Sequence, residues 1–414
     1  MPSSTSMTRR QFLTGVSVGA VGVVAGSQNA SARTLDIAPG EEIGPYLESI
    51  SDGETIIIPE GTYSYSGGSI AADRFTLRTE GLVTWDVQGE QRLNITGLGW
   101  TFGGVNFDIR GERSHMRVGL YGGDWRFHNC AWTGLKTGIG HFINPNCQGG
   151  TSGLVDKCYM GDGQADDVGD SYVFTYSRTD GVIEFRSSFF NQGGIYGADT
   201  RTPPGQEGTV HLTDCYFRNA YNACMRTGMR GHTARIRNCT AVYDSRELTP
   251  DIPEQGTSLS NVGGRSFRGI WGFWSDVLVE DCDVKVPYGI GVQTSNHGNP
   301  HVLVRNSEVS AAVRKAGNVT FENVGRDPDV TPPESCVTSA AEAVLGSSDA
   351  MLPEPLRANG TGGIHGPGRR RRRRRQQHWF ERVTQYVALG ALLSLGLLAL
   401  VLLSPLIVLY LLIR

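Results

Sequence analysis

The sequence predicts an all-β protein, a right-handed parallel β-helix (a solenoid), followed by one C-terminal transmembrane α-helix. A short pattern of apolar, any, polar, Asn or Asp, then Cys or Ser returns between residues 125 and 324. Apolar and polar residues alternate inside each repeat, which indicates strands, and repeats of this length indicate stacked coils. Parallel crossovers are nearly always right-handed, which predicts the hand. The last position of the pattern falls at Cys130, Cys158, Ser188, Cys215, Cys239, Cys282 and Ser307.

A second short run in each repeat is rich in turn glycines and predicts a further strand per coil. Such runs lie at residues 138–142, 194–197, 269–272 and 289–292. Five of the eight cysteines occupy the repeat position, where Ser188 and Ser307 take the same place. We therefore expect a column of buried, unpaired thiols, because free cysteine behaves as a small apolar side chain. Neither a Cys-x-x-Cys pair nor a Cys/His zinc spacing is present.

The net charge of −3 for the 414 residues hides an uneven distribution. Residues 33–368 carry 27 Lys and Arg against 40 Asp and Glu, so this part is strongly acidic. It contains four lysines in all. A polyanionic partner such as nucleic acid needs a basic surface, so the composition argues against nucleic-acid binding.

Residues 1–32 predict an export signal. Thr8-Arg9-Arg10-Gln11-Phe12-Leu13 resembles the twin-arginine signal, and a mildly apolar, glycine-rich run follows. Residues 30–32, Ala-Ser-Ala, fit a cleavage site for a signal peptidase. Twin-arginine export moves folded proteins, which agrees with reduced thiols in the core.

The first part of the exported chain predicts a cap. Residues 42–50 are amphipathic, as in a short helix, and residues 52–63 form a turn, a β-branched strand and a closing Pro-x-Gly. This stretch resembles the opening of right-handed β-helix proteins of the pectate-lyase-like superfamily. With the repeats, the resemblance covers residues 40–324. It implies the fold but not the chemistry, because the superfamily includes lyases, hydrolases, epimerases and non-catalytic surface proteins.

The pattern stops after residue 324, and the chain changes character. Residues 326–368 are rich in Pro, Gly, Ser and Ala and predict a flexible linker. Residues 369–386 are a basic segment that begins with seven arginines, and residues 387–413 carry no charge, which is enough for a transmembrane helix. The arginines favour the cytoplasmic side, whereas the export signal favours a β-helix outside the cell. We favour export, because long domains translocate largely regardless of charge.

Residues 161–170 hold the densest group of carboxylates. Three interpretations stay open: a solvated acidic turn, a catalytic pair, or a structural Ca²⁺ site, the one cofactor that the sequence suggests. The catalytic pair would be Asp166 and Asp167, with His297 as a further catalytic residue. Residues 164–167 and 296–298 resemble the Asp-Asp and His-Gly motifs of polygalacturonases, but their His precedes an Arg motif that here comes first, at residues 235–237. The Ca²⁺ ligands would be Asp162, Asp166 and Asp170.

Counting the register of the second strands predicts a groove along neighbouring coils. Aromatic faces beside polar groups suit sugar rings, and arginine suits uronate carboxylates. Of Trp271 and Trp274, we expect one to point inward, because adjacent strand positions alternate. The expected substrate-binding residues are His141, Tyr196, Asp199, Arg201, Arg226, Trp271, Trp274 and Gln293.

Together these features predict a signal peptide (residues 1–32), a β-helix domain with its cap (33–325), a linker (326–368), a basic juxtamembrane segment (369–386) and a membrane helix (387–413). The expected partners are a polysaccharide or envelope glycan, and membrane lipid through the helix and the arginine run. Three functions remain: an acidic-polysaccharide lyase or hydrolase, a non-catalytic glycan-binding surface protein, or a structural stalk. The stalk leaves the aromatic and arginine positions without a role.

Overall fold

The computed structural model describes residues 32–164, 171–175, 179–197, 207–220, 222–230, 232–244 and 267–346. Within these ranges every pairing between strands is parallel, and the chain forms a β-solenoid of about ten turns. The predicted parallel solenoid is therefore confirmed, while its right-handed sense stays a prediction. The two helices are short: α1 (Gly44–Glu48) and α2 (Ala340–Leu345).

The first half of the described chain contains thirteen strands. These are β1 (Arg33–Thr34), β2 (Thr55–Ile58), β3 (Gly61–Tyr65), β4 (Gly68–Ala71), β5 (Thr76–Thr79), β6 (Val83–Leu98), β7 (Thr101–Gly103), β8 (Val105–Gly123), β9 (Trp125–His128), β10 (Ala131–Thr133), β11 (Ile143–Pro145), β12 (Ser152–Asp156) and β13 (Tyr159–Met160).

The second half of the described chain contains fourteen more. These are β14 (Val173–Phe174), β15 (Val182–Arg186), β16 (Phe189–Asn191), β17 (Ile195–Tyr196), β18 (Thr209–Thr213), β19 (Tyr216–Arg218), β20 (Ala223–Thr227), β21 (Ala234–Arg237), β22 (Thr240–Val242), β23 (Arg268–Gly272), β24 (Val277–Glu280), β25 (Asp283–Thr294), β26 (Val302–Ala316) and β27 (Val319–Gly325).

The strands stack into three faces. The first face contains β1, β2, β5, β7, β9, β12, β15, β18, β21, β24, the start of β26 and β27. The second contains β3, the starts of β6 and β8, then β10, β13, β16, β19, β22, the start of β25 and the middle of β26. The third contains β4, the later parts of β6 and β8, then β11, β14, β17, β20, β23 and the ends of β25 and β26.

The corner between the first and second faces explains the repeat. The residue just before the Cys or Ser position has a left-handed backbone in eight coils, with φ between 48° and 55°. Asn and Asp tolerate this conformation better than other non-glycine residues, which accounts for their place in the pattern. The eight are Asn129, Lys157, Ser187, Asp214, Asn238, Asp281, Asn306 and Asn323.

The Cys or Ser that follows the corner closes it from inside. Each points inward and donates its side-chain hydrogen to the carbonyl two residues earlier, as Ser188 does to Arg186 at 2.8 Å and Cys239 to Arg237 at 3.2 Å. The same bond recurs in seven coils, so the position requires a small donor that tolerates burial. All eight cysteines are buried and unpaired, which confirms the predicted thiol column.

Aromatic side chains stack along the axis inside the coils. Trp100 lies against Trp125 with ring centroids 5.5 Å apart, and Phe190 against Phe217 at 5.0 Å. Because neighbouring coils place identical positions about one strand spacing apart, flat rings stack with little adjustment. At the N-terminal end, α1 buries Leu47 against this core, at the place where the sequence predicts a short capping helix.

Residues 326–346, here called the C-terminal strap, run back over the outside of the second face. The strap packs on Tyr159, Phe189 and Tyr216. The centroid of the Phe189 ring lies 5.4 Å from that of Tyr159 and 5.2 Å from that of Tyr216. The Asn129 side chain donates to the Ala343 carbonyl at 2.7 Å, which fixes α2 against a coil far upstream. This part of the expected linker is therefore packed on the solenoid, because its apolar side chains cover outward-facing aromatic rings. Residues 347–368 lie outside the described ranges.

The targeting predictions fall mostly outside the described chain. Residues 1–31, the basic segment 369–386 and the apolar segment 387–413 are not described. Within the described ranges, neither helix has the length and apolar character needed to cross a bilayer.

Candidate functional site

One column of outward side chains follows the third face across five coils. Strand pairing aligns Phe174 with Tyr196, Tyr196 with Arg226, Arg226 with Trp271, and Trp271 with Gln293. We call these five residues the aromatic–arginine column. Neighbouring positions are about 4.8 Å apart, the spacing of paired strands. Four of the five were predicted from register counting, and the strand pairing confirms their alignment.

Arg226 is the centre of the column. Its guanidinium carbon lies 5.0 Å from the Tyr196 ring centroid, 4.9 Å from that of Trp271 and 4.2 Å from that of Phe273. The residue is only 7% exposed, while Tyr196 and Trp271 are half-buried. A guanidinium held among aromatic faces keeps its charge and loses side-chain freedom before any ligand arrives.

Arg268 lies beside the column and braces it. One terminal nitrogen of its guanidinium donates to the Asn222 side-chain carbonyl at 2.8 Å, and its Nε donates to the Gln293 side-chain carbonyl. The guanidinium carbon also lies 4.1 Å from the Trp271 ring centroid. Burial lowers the pKa of Arg268, and the nearby Arg226 acts in the same direction. Two like charges in one half-buried patch favour an anionic partner.

A second group of rings continues the face beyond β23. The Arg230 guanidinium carbon lies 3.7 Å from the Trp274 ring centroid, and the His297 ring lies 5.1 Å from the same indole. Trp271 and Trp274 are both half-buried and both reach the outside, whereas Phe273 is 1% exposed. The expectation that one tryptophan points inward is therefore wrong. Strand β23 ends at Gly272, so strict alternation no longer applies at position 274.

His141 extends the face in the opposite direction. Its ring stacks on Phe174 with centroids 4.8 Å apart. The backbone carbonyl of Ser171 lies 2.8 Å from His141 Nδ1, so Nδ1 carries the proton and donates it. The aromatic surface therefore runs from His141 to Gln293 along the third face.

The acidic stretch at residues 161–170 is described only in part. Asp162 lies at the end of the second face, where one carboxylate oxygen accepts from the Gly134 amide at 2.8 Å and the other from the Tyr159 hydroxyl at 3.3 Å. Both oxygens therefore hold the corner together. Within the described ranges no group of three His, Cys, Asp or Glu residues is arranged to hold a metal ion. Five residues predicted for the site lie outside the described ranges. Three belong to this acidic stretch, Asp166, Asp167 and Asp170, and two to the predicted groove, Asp199 and Arg201.

Sequence reasoning missed four residues of this face: Phe174, Asn222, Arg230 and Arg268. Arg268 offered a signal, since it begins the run Arg-Gly-Ile-Trp that places Trp271 in the column. Its contacts reach Asn222 and Gln293, which are 46 and 25 residues away, and no local pattern shows such contacts. Phe174 lies in a two-residue strand, too short for alternation to be recognised.

No known protein family and no curated protein matches this sequence. Chains of solved structures are similar at low scores, as in the following three cases. The PL6 family alginate lyase AlyGC is 12% identical with a TM-score of 0.39, and the match covers 69% of this chain and 51% of that one. A mannuronic acid specific family 6 lyase from human gut microbiota is 12% identical with a TM-score of 0.32, covering 74% of this chain and 85% of that one. A PL6 alginate lyase in complex with a trisaccharide is 11% identical with a TM-score of 0.25, covering 69% and 82%.

The chain thus spans about half the length of the first of these structures. With TM-scores below 0.5, these likenesses carry no weight for function. The third face offers a ligand aromatic surfaces, the buried guanidinium of Arg226 and two further arginines, Arg230 and Arg268.

Proposed function

We propose that the solenoid belongs to an exported, membrane-anchored protein and binds an acidic polysaccharide along the aromatic–arginine column. The observation that carries the proposal is the alignment of Tyr196, Arg226, Trp271 and Gln293 on successive coils. An extended polymer with a repeating ring and a repeating charge matches a surface in which rings and cations repeat along one axis.

The chemistry of each position suits such a polymer. The faces of Tyr196 and Trp271 offer apolar surface to sugar rings, as aromatic residues do in carbohydrate sites. Arg226 and Arg268 offer paired N–H donors to a carboxylate or a sulfate. Because both guanidiniums are already stacked on aromatic rings, binding orders few additional side chains.

Cleavage of the bound chain is a separate proposal, and it depends on Asp166 and Asp167. A hydrolase needs two carboxyl groups that flank the scissile bond, and a lyase needs a base at the proton beside the uronate carboxylate. Of the expected Ca²⁺ ligands only Asp162 is described, and both of its oxygens already accept hydrogen bonds from the protein. We therefore assign no step to Ca²⁺. A non-catalytic glycan-binding protein remains the second candidate. It is favoured by the aromatic–arginine column, whose side chains suit the binding of a sugar chain.

Binding to polyuronates, a sulfated galactan and neutral dextran tests the proposal, measured by isothermal titration with the full-length chain. We expect binding to an acidic glycan and none to dextran. Arg226→Gln should weaken it at least about tenfold, since a charge-assisted hydrogen bond contributes about 1.5–3 kcal/mol. Trp271→Ala should also weaken it, because the sugar loses an aromatic surface. Arg237→Gln and Tyr288→Ala are matched controls, because both side chains are exposed elsewhere on the solenoid. If Arg226→Gln binds the acidic glycan as tightly as the parent, the column is not the binding site.

The same preparations distinguish an enzyme from a binding protein. Release of reducing ends indicates a hydrolase, and ultraviolet absorbance of unsaturated uronate indicates a lyase. The double variant Asp166→Asn with Asp167→Asn keeps the side-chain shape and removes the charge. If it cleaves as fast as the parent, those aspartates are not catalytic. Binding without release of any product supports the non-catalytic protein.

Location is tested on intact cells. The export signal and the apolar C-terminal segment predict that added protease removes the solenoid from the cell surface. Truncation before Val387 should release the protein into the medium. Protection of the solenoid until the cells are lysed would show that the arginine run keeps it inside.

A further inference from the structure

A group of basic side chains gathers at the corner between the second and third faces, next to the His141 end of the column. His115 and Arg117 lie on β8, while Lys136 and His141 come from the next coil. His115 is 4% exposed and Lys136 is fully buried, whereas Arg117 and His141 are half-buried and reach the surface. We call these four residues the basic corner.

His115 is buried without the hydrogen bonds that such burial normally requires. Neither of its ring nitrogens has a partner among the described residues, nor has the buried Nε of Arg117. By contrast, His141 bonds to Ser171 and Lys136 donates to the Gln164 side chain at 3.3 Å. A buried polar group without a hydrogen-bond partner destabilises the fold, so a position that keeps one calls for an explanation.

The backbone beside the corner is shaped to approach these groups closely. A Cβ added at Gly140 would lie 2.8 Å from the Arg117 guanidinium and 2.9 Å from His115 Nε2. A Cβ at Gly138 would lie 3.1 Å from His115 Nδ1. Glycine at both positions therefore keeps side-chain atoms out of the space directly beside His115 and Arg117.

Among the described residues, the charged groups that shift the pKa of His115 are all basic. Burial, followed by Lys136, Arg117, His141 and Arg92, lowers that pKa to about 4. Basic groups that gather around a buried imidazole create a positive potential, which an anion would neutralise.

We propose that the basic corner is an anion subsite, which takes one carboxylate or sulfate group of the polysaccharide at the His141 end of the column. The proposal rests on the proposed function, since His141 stacks on Phe174 and Phe174 pairs with Tyr196. Arg117 meets the anion at the surface, and His115 lies behind it with one N–H donor when neutral and a second once it is protonated. The site thus orients the chain by holding one acidic group at the end of a row of stacked sugars.

The test measures the protonation of His115 in the full-length chain by hydrogen–deuterium exchange at the imidazole C2 position, read by mass spectrometry. Sodium sulfate and sodium acetate are titrated separately against chloride at constant ionic strength. We expect one or both anions to raise the pKa of His115 by at least about one unit, because a bound anion stabilises the imidazolium. A response to acetate alone assigns the site to carboxylates, and a response to sulfate alone assigns it to sulfate esters.

Variants separate the subsite from the column. Arg117→Gln should lower the apparent anion affinity at least about tenfold, Arg117→Lys should retain most of it, and Arg78→Gln, exposed on the first face, should match the parent. Arg226→Gln should lose glycan binding but keep the response of His115 to the anion. If the parent shows the response of His115 but binds no glycan, the proposed function fails and the subsite stands. No response in the parent, or an equal response in Arg117→Gln, overturns the subsite.

Discussion

Lys157 occupies a corner position that most coils give to Asn, Asp or Ser. Its φ is 52°, and its side chain is exposed. A left-handed backbone costs an ordinary L-residue roughly 1–2 kcal/mol, and Asn avoids part of this through local hydrogen bonds. The left-handed corner therefore explains why Asn and Asp recur along the sequence. The recurrence can be seen in the sequence alone, but its cause requires the structure.

Replacing Lys157 with Asn should stabilise the protein. We expect Lys157→Asn to raise the free energy of unfolding by about 1 kcal/mol, because it relieves the left-handed strain. Denaturant titration measures the change. Lys157→Gln removes the same charge but keeps the strain, so it should show no gain. Equal stability of the Asn and Gln variants would mean that the corner conformation costs lysine nothing.

The buried imidazole of His115 predicts a loss of stability in acid. Burial among cations lowers its pKa to about 4 in the folded chain. The unfolded chain, with an ordinary histidine pKa near 6.5, then binds more protons, so stability falls as the pH drops from about 6.5 to 4. The contribution is on the order of 3 kcal/mol and is fully present above about pH 6.5.

Unfolding free energies measured from pH 7 to pH 4 test this, with His115→Gln as the comparison. The variant should show a shallower slope over the same range. Part of the slope should remain, because burial also lowers the pKa of His128 and His211. A slope as steep in the variant as in the parent would assign the acid sensitivity to other groups.

At the scale of elements, the strands could be predicted from the sequence because they repeat. The C-terminal strap could not be predicted, because it has no repeat. Each strand shows its inward face by alternation, as β15 does with buried Ile183 and Phe185. The strap makes single contacts to different coils, such as the Tyr216 hydroxyl to the Val330 carbonyl at 3.3 Å. Such contacts join residues 114 apart and impose no period on the sequence. Its Pro and Ser content therefore resembles that of a flexible linker.

The strap should stabilise the coils that it crosses. Compared with a chain that ends at residue 346, one that ends at residue 325 should unfold at lower denaturant concentration and bind more of a hydrophobic dye. The reason is that Phe189 and Tyr216, 8% and 9% exposed beneath the strap, would meet water. Full burial of such a side chain contributes about 1.5–3 kcal/mol. Identical transitions in the two chains would show that the strap lies on the surface without stabilising it.

At the scale of the whole molecule, a basic face lies on an acidic body. Residues 33–368 have 13 more acidic than basic side chains, yet Arg226, Arg230 and Arg268 gather on the third face. Register counting found the column because the period of the coils is visible in the sequence. The arginines beside the column were not found, since their stacking depends on how separate coils meet. The acidic body therefore repels an acidic glycan at long range, whereas the arginines of the third face attract it at short range.

The repulsion and the attraction respond differently to salt. The Debye length is about 30 Å at 0.01 M and about 8 Å at 0.15 M, so moderate salt screens the distant acidic groups first. A carboxylate in contact with the half-buried arginines is screened much less. We therefore expect the affinity for a polyuronate to rise between about 0.01 M and 0.15 M salt, mainly through a faster association rate. In Arg226→Gln the same repulsion is screened but the central contact is missing, so binding should stay weak at every salt concentration. An affinity that falls steadily from the lowest salt would show that the glycan meets a surface dominated by exposed positive charge, and it would move the site away from this column.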